Sequence, residues 1–376
     1  MRYYQLAGLV ILILIWQTLC AQDITGNLIG RVTDHEGRAL QDVEIIVEGR
    51  DIQGTRGTVS DEQGNFRLLA LPVGVVAVEV SHVAYHIRSI PDTKIALGKT
   101  VSLGDIQLVP LSIEASEVTV IGEKNTIDPN TTTIGANITP DLFETLPIER
   151  DYLSITSLLP QANTSYLGDD VNISGATGQE NAYFIDGMNT TDPYRAIGGS
   201  RLPYNFVKEI EVKSGGYEAE FGRATGGIVN VITYSGGNEF HGKAFGFFTG
   251  SGLSSNASRG IVDVRTGDFT RYDAGISLGG PVIIDKLWFY LAYNNQLQEE
   301  DIEFEGLGTE TDKTIANIFA AKLTWQATPK TNILFSVFGD PSNQDRIGSN
   351  FPGGTMPAAL ANPDPFLGKW GGCPRK

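Results

Sequence analysis

Cysteine is almost missing from this chain of 376 residues; Cys20 and Cys373, near either end, are the only two. No disulfide framework within a domain can be built from that pair. Histidine is nearly as scarce, at His35, His82, His86 and His241, and none stands in a His-Glu-x-x-His or paired-cysteine spacing, so the sequence offers no zinc site. His82 and His86 are four apart, but in a stretch that reads as strand, where that spacing does not converge as it does on a helix. Positive charge is in deficit: 28 Lys and Arg face 44 Asp and Glu, a net charge of −16. No basic run occurs, which argues against a nucleic-acid partner, since phosphates need clustered cations. The acidity reads as a solubility device, with attraction for cationic ligands or bridging divalent ions as the alternative. No nucleophile–base pair, metal spacing or phosphate loop stands out, and the GGIVNVI run lacks the G-x-G-x-x-G order of a dinucleotide turn. No cofactor and no enzymatic activity are therefore expected. Long apolar runs are also lacking. The one run, residues 9–16 after Arg2, is short for a membrane span and reads as a secretory signal over residues 1–21, cleaved near Ala21-Gln22. Cys20 raises a lipoprotein alternative, but Leu19 sits where that signal wants a small residue.

What is present is glycine, 44 residues of it, with 41% hydrophobic residues. That composition and length suggest a folded, β-rich chain of two or three domains. Residues 26–109 alternate apolar and polar positions in short runs, such as Val43-Glu-Ile-Ile-Val47 and 75–80, broken by turn signals. This predicts a β-sandwich of transthyretin or immunoglobulin type. Asp34 with Gly37, and Asp61 with Gly64, are its natural corners, because Asp bonds its own backbone and Gly takes positive φ.

Residues 110–134 form a polar linker around one short alternating strand. Val118 and Val120 share one of its faces, Glu117 and Thr119 the other. Its backbone is free to pair with a visiting sheet edge, or it is the first strand of the globule that follows. Residues 135–238 read as a small α+β globule. One helix starts at Thr139, a candidate cap, with Pro140 in the first turn and Leu142, Phe143 and Leu146 on its apolar side. A second is predicted from about Glu149 to Leu159, burying Tyr152, Leu153, Ile155, Leu158 and Leu159. Three β-rich runs, 181–185, 207–213 and 227–234, end in the turn chemistry Asp186-Gly187, Ser214-Gly215-Gly216 and Ser235-Gly236-Gly237, which predicts a mixed sheet with close backbone approaches.

From Glu239 to about residue 340 a longer dyad appears. Tyr272, Ala274, Ile276 and Leu278 alternate with Arg271, Asp273, Ser277 and Gly279; Phe319, Ala321, Leu323 and Trp325 alternate with Lys322 and Thr324; Ile333, Phe335 and Val337 alternate with Asn332 and Ser336. Connections alternate between long (251–270 and a polar, acidic 299–313) and short (285–286 and 328–330), the signature of an antiparallel transmembrane β-barrel. Residues 341–376 are rich in Pro, Gly and Asn.

The motifs YFIDGM, EIEV and SGGYEAEFGRATGGIVNVITYSGG resemble the plug domain of TonB-dependent outer-membrane receptors, in the branch with an N-terminal carboxypeptidase-regulatory-like domain; the resemblance covers roughly residues 26–340. It implies a plug at 135–238 inside a barrel whose first strands, about five, occupy 239–340. It implies outer-membrane lipid, a TonB-like periplasmic coupling protein and an unknown extracellular ligand as partners, with residues 117–120 (Glu117, Val118, Thr119, Val120) as the TonB box. The 189–203 loop, with Asp192, Tyr194, Arg195 and Arg201, is then either a ligand-facing plug loop or a surface packed on barrel wall, and Arg223 is expected to pair with a plug or barrel carboxylate. A barrel wide enough for a plug needs on the order of 22 strands, so the sequence reads as the N-terminal part of a longer receptor. A secreted adhesion or assembly protein using the sandwich and plug as binding modules is the alternative.

Overall fold

The computed structural model describes residues 24–50, 52–111, 132–144, 150–164, 171–218, 221–254, 268–304, 308–328 and 331–345. The leader, the 117–120 segment and residues 346–376 lie outside them. The chain divides into two compact units, one of residues 1–242, 277–292 and 320–339 and one of 243–276, 293–319 and 340–376. In the first unit the chain begins as a sandwich. Its strands are β1 (Gly26–Asp34), β2 (Glu44–Glu48), β3 (Arg56–Val59), β4 (Asn65–Leu71), β5 (Gly74–Ser81), β6 (Arg88–Ile95) and β7 (Thr100–Leu108). They form a three-stranded sheet β4-β1-β7 and a four-stranded sheet β3-β2-β5-β6. The inward positions of both sheets, among them Leu28, Val32, Ile45, Val47, Leu68, Val78 and Ile106, make one core. The predicted corners hold: Asp34 Oδ1 accepts from Glu36 N and Arg38 N, Asp61 Oδ1 accepts from Gln63 N and Asn65 N, and Gly37 and Gly64 have φ of 83° and 77°.

The same unit continues into the α+β globule. Its elements are β8 (Ile134–Ile138), α1 (Pro140–Phe143), α2 (Tyr152–Thr156), β9 (Ala162–Thr164), β10 (Val171–Ile173), β11 (Ala182–Ile185), β12 (Met188–Asn189), β13 (Val207–Gly215) and β14 (Ile228–Thr233). The central sheet runs β12-β11-β14-β13-β8 and is mixed, with β11 parallel and β13 antiparallel to β14. The helices are shorter than the sequence predicts. Asp151 caps α2 by accepting from Ser154 N, which fixes its start at Tyr152, three residues after Glu149, and Leu158 stays 44% exposed. On α1 only Phe143 is buried, Leu142 is half exposed, and the Thr139 hydroxyl makes no cap; it accepts instead from Lys94 Nζ at 3.1 Å.

Strands β15 (His241–Gly250), β16 (Phe269–Ile283), β17 (Leu287–Phe304), β18 (Gly308–Thr328) and β19 (Thr331–Gly339) follow in chain order as one open sheet, with β20 (Ser342–Asp345) paired to β18. Their polarity is inverted relative to a sheet in water. Ile276, Leu278, Leu291, Tyr293, Leu323, Trp325 and Phe335 are exposed, while Ser277, Asn294, Lys322 and Thr324 are buried. A sheet bathed in water does the reverse; this arrangement suits an outer face that meets lipid and an inner face that meets polar protein. A short turn stands where the sequence puts it, at 284–286, and residues 329–330 lie outside the described residues. The acidic stretch 299–313 does not form a long loop. Most of it extends β17 and β18, because its charges find cross-strand partners: Thr311 Oγ1 donates to Asp301 Oδ1 at 2.6 Å, and Lys313 pairs with Glu299. Replacing exposed Leu291 by Arg should lower stability in a phospholipid bilayer by about 2–4 kcal/mol, read by urea titration of the chain folded into vesicles; a change near zero would mean that this face does not meet lipid.

Candidate functional site

The central sheet of the globule ends in a tight turn. Asp186 and Gly187, both with positive φ (49° and 80°), reverse the chain between β11 and β12, as an Asp-Gly pair is suited to do. The turn also aims the Asp186 carboxylate at a neighbour remote in sequence. Asp186 Oδ1 accepts from Lys322 Nζ at 2.8 Å and from Thr233 N at 3.0 Å, and Oδ2 accepts from Thr233 Oγ1 at 2.6 Å and Ser336 Oγ at 3.1 Å. Lys322 donates a second bond to Thr233 O at 2.9 Å. Both side chains are out of water, at 4% and 1% exposure. Burying two charges costs several kcal/mol per ion unless geometry and extra hydrogen bonds compensate, and here the carboxylate is bonded on both oxygens. The cluster therefore fastens the end of β11 and β14 to β18 and β19.

Neither partner was legible as such: Asp186 reads as a turn residue and Lys322 as one polar position on an alternating strand. The available signal was the lysine itself, set among Ile318, Phe319, Leu323 and Trp325. An ionisable residue inside a membrane strand faces the interior and has a partner.

The predicted ligand-facing residues lie in one loop. A bridge between Thr191 and Gly198 closes its tip around Asp192, Tyr194 and Arg195, with Arg201 beyond the bridge, and the Asp192 carboxylate accepts from Tyr194 N at 2.7 Å and Arg195 N at 3.0 Å. Those backbone bonds hold the Asp192 carboxyl below its usual range. Asp192 is thus used in shaping the turn, which leaves Tyr194 93% exposed and Arg195 and Arg201 exposed. Arg223 adopts φ 66°, is exposed, and forms no ion pair with a described residue. Among the described residues, Asp186 and Lys322 form an ion pair between this globule and the long strands. Residues 117–120 lie outside the described residues. Among the described residues there is no group of three or more His, Cys, Asp or Glu placed to hold a metal ion.

Comparison with known families places three domains in register with these structural blocks. Residues 27–109 match the carboxypeptidase regulatory-like domain, residues 148–228 the TonB-dependent receptor plug domain, and residues 232–365 the outer membrane beta barrel domain. The chain has the domain series of a TonB-dependent receptor. Among curated relatives, the TonB-dependent transporter Oar of Myxococcus xanthus is 29% identical over 90% of this chain and 36% of its own length. A probable TonB-dependent siderophore receptor, PirA of Acinetobacter baumannii, is 26% identical over 61% of this chain and 32% of its own length. The crystal structure of the Acinetobacter baumannii PirA receptor superposes with a TM-score of 0.46 at 21% identity, covering 57% of this chain and 32% of that one. The chain spans about a third of the length of these curated relatives.

In the plug–barrel arrangement, Lys322→Ala should destabilise the receptor chain by about 3–5 kcal/mol, because Asp186 is left buried without its cation. Adding Asp186→Ala should cost less than its own single effect, with a coupling of at least about 1 kcal/mol. A double-mutant cycle on urea unfolding in detergent micelles measures this; strictly additive losses would mean that the two side chains do not act together.

Proposed function

We propose that the chain is the plug-bearing part of an outer-membrane TonB-dependent receptor, exported by its leader, that moves a ligand across the membrane with energy from a periplasmic coupling protein. The observation that carries this reading is the inverted polarity of β16–β19 joined to a plug sheet through the buried Asp186–Lys322 pair. An apolar outer face requires lipid. A polar inner face requires a filling, and the plug supplies it.

In this reading the 189–203 loop meets the ligand. Tyr194 and Arg195 are held out by the Asp192 turn, and Tyr and Arg are favoured anchors in recognition sites because they combine contact area with hydrogen bonding. Residues 117–120 are the segment captured by the coupling protein. A strand with Val118 and Val120 on one face binds by adding to a sheet edge, using main-chain hydrogen bonds for affinity and alternate side chains for register. Pulling on that segment then transmits force through β8 into β13 and β14, which end at the Asp186 clamp.

The test is a photo-crosslinker at Thr119 in the complete receptor, expressed in cells that contain the coupling protein. A crosslink to the periplasmic domain of that protein is expected, and Val118→Pro, which removes a main-chain donor from the strand, should reduce it at least about tenfold. No crosslink from position 119, alongside full membrane insertion, would remove energy coupling from the reading.

A further inference from the structure

Strand β13 carries Glu209, Glu211 and Lys213 on one face, and all three are buried. Its register places Glu211 opposite Asn230 of β14 and Asn137 of β8, so this face of the plug sheet is a polar stripe. What covers it is the sandwich, through the turn at 96–99 between β6 and β7. Leu97 N donates to Glu209 Oε1 at 3.0 Å, and Asn137 Nδ2 donates to Leu97 O at 3.0 Å and to Glu209 Oε1 at 2.6 Å. The Leu97 side chain is fully buried against Val73 and Ile232. Gly98, at φ 64°, lies so close to the plug that a Cβ there would stand 2.7 Å from Glu211 Oε1. A second contact joins Gln53 Nε2 to Gly236 O at 3.2 Å.

This interface is chemically unlike a permanent core. Both carboxylate oxygens of Glu211, and both amide atoms of Asn230, are buried with no hydrogen-bond partner among the described residues. Lys213 Nζ stands 3.8 Å from Glu211 and bonds Glu218 at 3.2 Å instead. Groups left without partners are costly when covered and well solvated when uncovered. A face that keeps them is suited to meeting water for part of its working cycle.

We propose that the sandwich is a removable cover on the plug: it docks over β13 through the 96–99 turn and lifts away to free the plug sheet, with the charge of Glu211 setting which state is favoured. The charged and titratable groups facing Glu211 are Lys213, Glu209 and Glu218 from the plug and Lys99 from the sandwich. Burial pushes Glu211 up to about 7, against the pull of the two lysines, and burial also raises Glu209. Uncovered, Glu211 returns toward the ordinary value of 4.5. The docked state therefore binds the proton more tightly. Docking is strongest below the ordinary value and is lost as the pH rises through about 7.

The test follows distance rather than transport, so it is independent of ligand and coupling protein, and its failure is separable from failure of the receptor reading. Nitroxide labels go on cysteines placed at Asp105 in the sandwich and Asp141 in the plug, both exposed, in the full chain with Cys20 and Cys373 changed to serine. Pulsed electron resonance should give one short, narrow distance at pH 5 and a growing longer population above pH 7, the docked-to-undocked ratio falling on the order of a hundredfold. Glu211→Gln, which removes the charge and keeps the shape, should hold the short distance at both pH values. Glu209→Ala, which strips Leu97 N of its acceptor and Asn137 of one of its two, should release the longer population already at pH 5. The proposal is overturned if the wild-type distance is the same at pH 5 and pH 8.5, if Glu211→Gln keeps the wild-type pH dependence, or if no short distance occurs at any pH.

Discussion

A strand sheet that shows its apolar side chains to lipid must hide its polar ones, and that constraint organises the rest of the molecule. Strands β16–β19 turn Ser277, Lys322, Thr324 and Ser336 away from the exposed rows of Ile276, Leu278, Leu323, Trp325 and Phe335. Hydrocarbon would leave those polar groups unsatisfied at several kcal/mol each. The plug meets the requirement with chemistry as well as volume. Its Asp186 turn supplies a carboxylate where Lys322 supplies a cation, and Thr233 and Ser336 occupy the remaining acceptor sites. A buried ion pair of this kind is weak evidence of net stability. Its value lies in register: among the described residues, Asp186 is the carboxylate that Lys322 meets.

How much of this was legible in the sequence depended on how far apart the partners lie. The corners at Asp34 and Asp61 were readable because donor, acceptor and left-handed glycine sit within four residues. The three β runs of the plug sheet were readable for the same reason, each carrying its own alternation and its own turn. The Asp186–Lys322 pair spans 136 residues, so neither partner reveals the other. The acidic run at 299–313 looked like a loop because its charges were counted alone. Paired across β17 and β18, Lys313 with Glu299 and Thr311 with Asp301, the same residues sustain strand. The EIEV motif misleads differently. Nothing in the motif itself shows that Glu209 and Glu211 are buried, because the cover comes from a different domain.

The two carboxylates on either side of β14 show how a single sheet can be held in two ways. Asp186 and Glu211 are comparably buried. Around Asp186 both carboxylate oxygens are bonded and a lysine is in contact. Around Glu211 the oxygens are unbonded and the nearest lysine is 3.8 Å away and engaged elsewhere. The first arrangement resists small changes of charge, since losing one bond leaves three. The second is sensitive to a single proton, which fits a raised carboxyl near 7.

In the proposed receptor, that difference would bear on the route by which force from a coupling protein travels. The covered stripe of β13 lies between β8, which follows the 112–131 segment in the chain, and β14, which ends at Thr233 in the Asp186 cluster. A pull entering through β8 reaches Glu209, Glu211 and the Leu97 contact before it reaches the clamp. Sheet edges unzip one ladder bond at a time, whereas a clamp with several hydrogen bonds and an ion pair yields only when they break together. In that reading the weaker hold stands on the side where load would arrive and the stronger hold beyond it. With the sandwich seated, Asn137 is tied to both Leu97 and Glu209, and β8 cannot peel from β13 without breaking those bonds as well. With it lifted, β8 would be an edge strand held by its ladder and the Asn137–Glu209 bond, without the tie to Leu97.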